Sequence, residues 1–140
     1  MRRKTLMCCL MWFASSIALA DNAGFNPANI GPDCDPSQGG QQEMNACSGV
    51  IYQAADKEMN ELYQQLMKRL SKPSQEKLRA SQRAWLKYRD AAYAYEIEWN
   101  GPCEGTICPL WENQTLTELT NQRIERLRSY VSCTDNGCPE

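Results

Sequence analysis

The sequence predicts an all-α protein, a small antiparallel three-helix domain stapled by disulfides and preceded by a cleaved signal peptide. Three observations carry this reading. Long stretches repeat apolar residues at spacings of three and four, the period of one helix face. Gly and Pro gather between those stretches, with Gly49 the exception. Six cysteines follow a secretory leader, and small exported domains supplement a modest core in that way. At 140 residues there is room for one domain.

The leader comes first. Arg2, Arg3 and Lys4 form a positive n-region, residues 6–19 are apolar, and Ala18-Leu19-Ala20 is a small-x-small cleavage pattern. The apolar run is too short for a stable membrane helix and no later stretch comes near that length, so no membrane span is expected. Cys8 and Cys9 sit too early to be lipidation sites. Cleavage after Ala20 leaves an exported chain, periplasmic or secreted. Taking Arg2, Arg3 and Lys4 from the 15 basic residues leaves 12 against 17 acidic ones, a net charge of −5. No basic patch with interleaved aromatics appears, which argues against nucleic acid, and an acidic surface favours a cationic protein partner.

Residues 21–40 read as an extended leader with turns at Asn26-Pro27, Gly31-Pro32 and Gly39-Gly40, held down by Cys34. The helical domain is expected over 41–140. Met44, Cys47, Ile51, Ala55, Met59, Leu62, Leu66 and Leu70 stripe a first helix, weakened near Gly49. Pro73 stops it, and Ser74 is the expected N-cap of the second helix. That helix carries Leu78, Ser81, Trp85, Tyr88, Ala92, Tyr95 and Trp99 at heptad spacing, with Gln82, Arg89 and Glu96 in a polar row alongside. Its aromatics make it the expected centre of the domain, around which the others pack. Asn100-Gly101-Pro102 ends it. A third helix is expected over 111–131, striped by Leu116, Leu119, Ile124, Leu127 and Val131.

Short connections make neighbouring helices antiparallel. Cys34, Cys47, Cys103 and Cys108 then share one end, while Cys133 and Cys138 lie about 30 Å away at helical rise. Cys133–Cys138 is therefore a local pair. Cys34–Cys47 and Cys103–Cys108 are the simplest remaining bonds, with a swap among those four open. The two C-x4-C spacings would also suit a four-thiolate metal site, but an oxidising compartment and the lack of histidine favour disulfides, and no metal or cofactor is expected.

The missing histidine removes Ser-His-Asp and Cys-His catalysis and the usual base at neutral pH. The carboxylate pairs that remain, Glu58 with Glu61 and Glu96 with Glu98, are routine on solvated helix faces. An enzyme is not expected.

Four segments in order carry a family resemblance: Cys34…Cys47; Tyr52-x3-Asp56-x3-Asn60-x2-Tyr63; Gln82-Arg83-Ala84-Trp85-x2-Tyr88-Arg89-Asp90; and Leu119-Thr120-x2-Arg123-x3-Leu127. Together, over about residues 34–131, the chain resembles the LprI-like lysozyme-inhibitor family. The resemblance implies a small helical, disulfide-stapled, exported bacterial domain. It also implies inhibition of a lysozyme-type muramidase. The family usually has a cysteine three residues beyond the Arg-Asp and another before the Leu-Thr-x-x-Arg segment. Tyr93 and about Thr115 stand there in this chain, so the resemblance implies that a link between helices 2 and 3 is absent and that Cys103–Cys108 and Cys133–Cys138 substitute locally.

Two groups of side chains are candidates for function or specificity. Asp56, Asn60, Gln82, Trp85, Arg89, Asp90, Thr120 and Arg123 are expected to form an interhelical polar network, with Arg89 or Arg123 bidentate to Asp56 and the Trp85 N–H satisfied nearby. The aromatic row Trp85, Tyr88, Tyr95 and Trp99 is expected in the core. For partner binding the expected residues are Glu104, Trp111 and Glu112 on a stiffened loop, beside Glu96 and Glu98, offered to a cationic lysozyme cleft. The alternative is an interaction or immunity protein with a non-lysozyme target. Oligomeric state is not legible.

Overall fold

The computed structural model describes residues 26, 30, 31, 33–99, 101–134, 137 and 138. The signal peptide expected over 1–20 and residues 21–25 of the leader lie outside them. Of the described residues, 75% are helical. Its elements are α1 (Gln41–Arg69), α2 (Lys72–Glu98) and α3 (Cys108–Val131), with no strand among the described residues.

Each boundary has a local cause. Gly39, at φ +87°, turns the chain into α1, and the Gly40 N–H donates to Glu43 Oε2 at 2.7 Å across the first turn. Lys68 and Arg69 close α1, where cations suit the helix dipole. The expected N-cap of α2 is corrected from Ser74 to Ser71, because Pro73 falls inside the first turn, where its missing N–H costs nothing. For the same reason Pro109 lets α3 begin at Cys108, three residues before the expected Trp111.

The helices run up, down and up, so α1 and α3 are parallel. Asn113 Nδ2 donates to Ser48 Oγ at 3.1 Å near their starts, and Arg69 Nη1 donates to the Val131 carbonyl at 2.6 Å near their ends. Between them lies the core: Ala55, Met59, Leu62, Leu66 and Leu70 of α1 and its end meet Ile124 and Leu127 of α3, with Leu78 contributed by α2. Leu127 is fully enclosed, at 0% exposure.

The expectation that α2 is the centre is corrected. Only Leu78 and Gln82 of α2 are buried. The inward row is Leu78, Gln82, Leu86, Arg89, Tyr93 and Ile97, turned about 100° around the helix from the aromatic row. Tyr88, Tyr95 and Trp99, expected in the core, are 57%, 75% and 71% exposed. Trp85, on the border, is half-buried.

The disulfides are Cys34–Cys47, Cys103–Cys108 and Cys133–Cys138, with Cα separations of 5.8, 5.9 and 5.7 Å. Every cysteine beyond the leader is thus bonded to a near neighbour in sequence, and the swapped pairings do not occur. Each bond ties a flanking segment or loop down; none joins one helix to another.

Thr120 occupies a fully enclosed position on α3, and its Oγ1 has no hydrogen-bond partner. An unpaired buried hydroxyl costs about 1–3 kcal/mol, and valine keeps its shape without it. Thr120→Val is expected to stabilise the fold by about 1 kcal/mol, read as a rise of several degrees in thermal midpoint. A lower midpoint would mean that the hydroxyl is satisfied in solution.

Candidate partner-binding surface

The polar side chains of the sequence motifs hold α2 in place, but not as the single network expected. Arg123 of α3 is buried; its Nε donates to Gln82 Oε1 at 3.0 Å and its Nη2 to Ser81 Oγ at 3.3 Å. Gln82 Nε2 in turn meets Met59 Sδ at 3.4 Å. Arg123 and Arg89 both lie over the Trp85 ring, 6.0 and 5.5 Å from its centroid, so the indole joins through its face. Burial pulls the Arg123 guanidinium below its ordinary value, and arginine remains a cation at neutral pH.

The other members are elsewhere. Arg89 donates through Nε and Nη2 to Asp90 Oδ1 at 3.0 and 2.8 Å, and through Nη1 to the Tyr52 hydroxyl at 3.4 Å. Asp56 accepts from Asn60 Nδ2 at 2.9 Å on its own helix face. Neither arginine pairs with Asp56, and Thr120 Oγ1 is unpartnered, which corrects both expectations. Asp56 and Asn60, one turn apart on α1, satisfy each other more cheaply than a long side chain reaching across from another helix would. Of the carboxylate pairs, Glu58 is engaged by Arg128 and Glu61 lies 3.9 Å from Lys57, both on solvated helix faces.

One end of the bundle gathers the start of α1, the end of α2, the loop 101–107 and the start of α3. Asn45 Nδ2 donates to the Thr106 carbonyl at 2.8 Å, docking the loop on α1, while Cys103–Cys108 closes the loop on α3. On this tip Trp111 is 51% exposed and Glu104 is exposed, whereas Glu112 is half-buried. Glu112 and Glu98 converge on Tyr93. Burial first, then the charge and hydrogen bond of Glu112, then the charge of Glu98 push the Tyr93 hydroxyl above its ordinary 10.0, so it stays a neutral donor. Tyr93 of α2 thus faces Glu112 of α3 at the tip. Glu96 lies about 200° around the helix from Glu98, on the other flank of the aromatic row, and is not part of that cluster.

Chemically, this end offers carboxylates and an exposed indole on a braced loop. A groove of about 430 Å³ between α1 and α3 is lined by Pro36, Ser48, Ile51, Gln114, Asn121 and Glu125 among others. Among the described residues no group of His, Cys, Asp and Glu could hold a metal ion, and no helix is long and apolar enough to cross a membrane.

Comparison with known proteins adds two findings. The sequence model of the family described as lysozyme inhibitor LprI matches residues 34–127, a span holding α1, α2 and most of α3. An uncharacterized protein of Rhizobium meliloti (strain 1021) is 27% identical over 144 aligned positions, covering 88% of this chain and 96% of that protein. No solved structure matches.

Proposed function

The chain belongs to the LprI family of lysozyme inhibitors, and from that premise we propose that it acts outside the cytoplasm, binding a lysozyme-type muramidase and occluding its glycan cleft. The observation that carries the choice of surface is the braced tip, where exposed Glu104 on a loop closed by Cys103–Cys108 shares one end of the bundle with exposed Trp111 and Glu98 and half-buried Glu112. Such a tip is pre-organised, so little ordering entropy is lost on binding. Its carboxylates steer it toward a cationic enzyme, and the indole is the kind of side chain that anchors an interface. Occlusion needs no cofactor and no bond-making group. Three disulfides fit an oxidising compartment.

The test is turbidity clearing of cell walls by chicken-type, goose-type and invertebrate-type lysozymes, titrated with the oxidised protein. Saturable inhibition of one type is expected. In a Glu104→Lys/Trp111→Ala variant the inhibition constant should rise about 100-fold, as for loss of an anchor and reversal of a rim charge. Glu112 is left intact there because it also holds Tyr93. Full inhibition by that variant would move the site off the tip. No inhibition of any type would favour an interaction or immunity protein with another target.

A further inference from the structure

We propose that the outward face of α2 is a self-association surface, on which a second copy of this chain packs with its α2 antiparallel to the first. The exposed positions Ser81, Ala84, Tyr88, Ala91 and Tyr95 recur at alternating spacings of three and four, and Lys77 and Glu98 extend the same seam at either end. That makes three heptads of uninterrupted helix, long enough for a two-helix coil of about 32 Å. Among the described residues the rings of the row are left open, Tyr88 and Tyr95 being 57% and 75% exposed.

The pattern of sizes selects the occupant. A two-fold axis between Tyr88 and Ala91 places Tyr88 against the partner's Ala91, and Ala84 against the partner's Tyr95. Every ring then meets a methyl-sized gap, as knobs-into-holes packing requires. A two-fold contact of this kind uses one patch on both copies and closes after two.

Charge selects the direction. The first part of α2, residues 72–87, carries Lys72, Lys77, Arg79, Arg83 and Lys87 against one carboxylate, Glu76. The last part, residues 88–98, carries Asp90, Glu96 and Glu98 against one cation, Arg89. Antiparallel pairing sets the basic start of each helix beside the acidic end of the other, and brings the partner's Glu98 into the hole beside Lys77. Parallel pairing would set like against like. The helix dipoles favour the same direction. The two tips then point to opposite ends of the dimer, with Glu98 shared between seam and tip. Ala84, in the seam and far from the tip, separates dimerisation from inhibition.

Sedimentation equilibrium of the oxidised full chain tests this. A particle of two chains is expected at about 100 µM protein, a concentration at which even a small two-fold interface is populated. Ala84→Glu, at an exposed position in the single chain, should leave helicity and thermal midpoint of the dissociated protein unchanged and raise the dissociation constant at least about 100-fold, since it buries an unpaired charge in the seam. Lys77→Glu and Glu98→Lys should each weaken the dimer about tenfold, and the double variant should recover most of that loss. A single-chain mass at that concentration, or a dimer that Ala84→Glu leaves intact, would overturn the proposal. Failure of the charge pair to recover would overturn the antiparallel arrangement. Inhibition that persists in the Ala84→Glu protein is expected and keeps this result distinct from that of the lysozyme assay.

Discussion

Leu127→Ala should cost about 3–4 kcal/mol, a large part of the 5–15 kcal/mol that holds a domain folded. Leu127 is fully enclosed at the seam of α1 and α3, among Met59, Leu62, Leu66 and Ile124. Removing three carbons there leaves a cavity that two long helices cannot collapse onto, so the cavity penalty adds to the lost transfer energy. Urea unfolding followed by circular dichroism measures it. The midpoint should fall with the slope unchanged, since the surface exposed on unfolding is nearly the same. Tyr95→Ala, on the outer face of α2, is the contrast, with an expected change in single-chain stability below about 0.5 kcal/mol. A loss under about 1 kcal/mol at Leu127, or a larger loss at Tyr95, would return the core to the aromatic row.

Arg123→Ala is expected to cost about 2–4 kcal/mol for a different reason. The guanidinium is held by Gln82 Oε1 and Ser81 Oγ and lies over Trp85. Its loss removes two charge-assisted bonds from α3 to α2, strands the Gln82 carboxamide, and uncovers the indole. A double-mutant cycle with Gln82→Leu separates these effects. Once Gln82 is gone, no stranded amide remains, so the double variant should be less damaged than the sum of the singles by about 1 kcal/mol. Additive costs would mean that the hydrogen bond carries no stability of its own and that Arg123 matters only as packing.

Most of the architecture was legible because it rests on period and punctuation. Three stripes at spacings of three and four, separated by Pro73 and Gly101-Pro102, locate three helices to within a few residues. The phase of α2 was not legible. Two adjacent rows share the helical period, one aromatic and one containing Gln82 and Arg89, and hydrophobicity favours the aromatic row. The chain buries the other because Gln82 and Arg123 complete each other only when turned inward, an exchange between residues 41 positions apart that no local pattern records. The same length and flexibility of arginine hid the partners of Arg89 and Arg123. Tyr93 was within reach. It stands where the resembling family places a cysteine, and it joins α2 to α3 through Glu112, a non-covalent tie at the position of a covalent one. The tip carboxylates Glu98 and Glu112 were placed together by sequence order, whereas Glu96 was separated from Glu98 by helical rotation over two residues.

The locality of the disulfides has a consequence for how the chain oxidises. The six thiols of the described residues allow fifteen pairings, and a random search among them would trap many chains. Here the native partners are 13, 5 and 5 residues apart. In a disordered chain the encounter rate of two thiols falls with the length of chain between them, so each cysteine meets its proper partner at the highest effective concentration available to it. Chain length alone thus biases oxidation toward the native set, without guidance from tertiary packing. Because no bond spans two helices, a mispaired chain can also reshuffle at its edges without dismantling the packed interior.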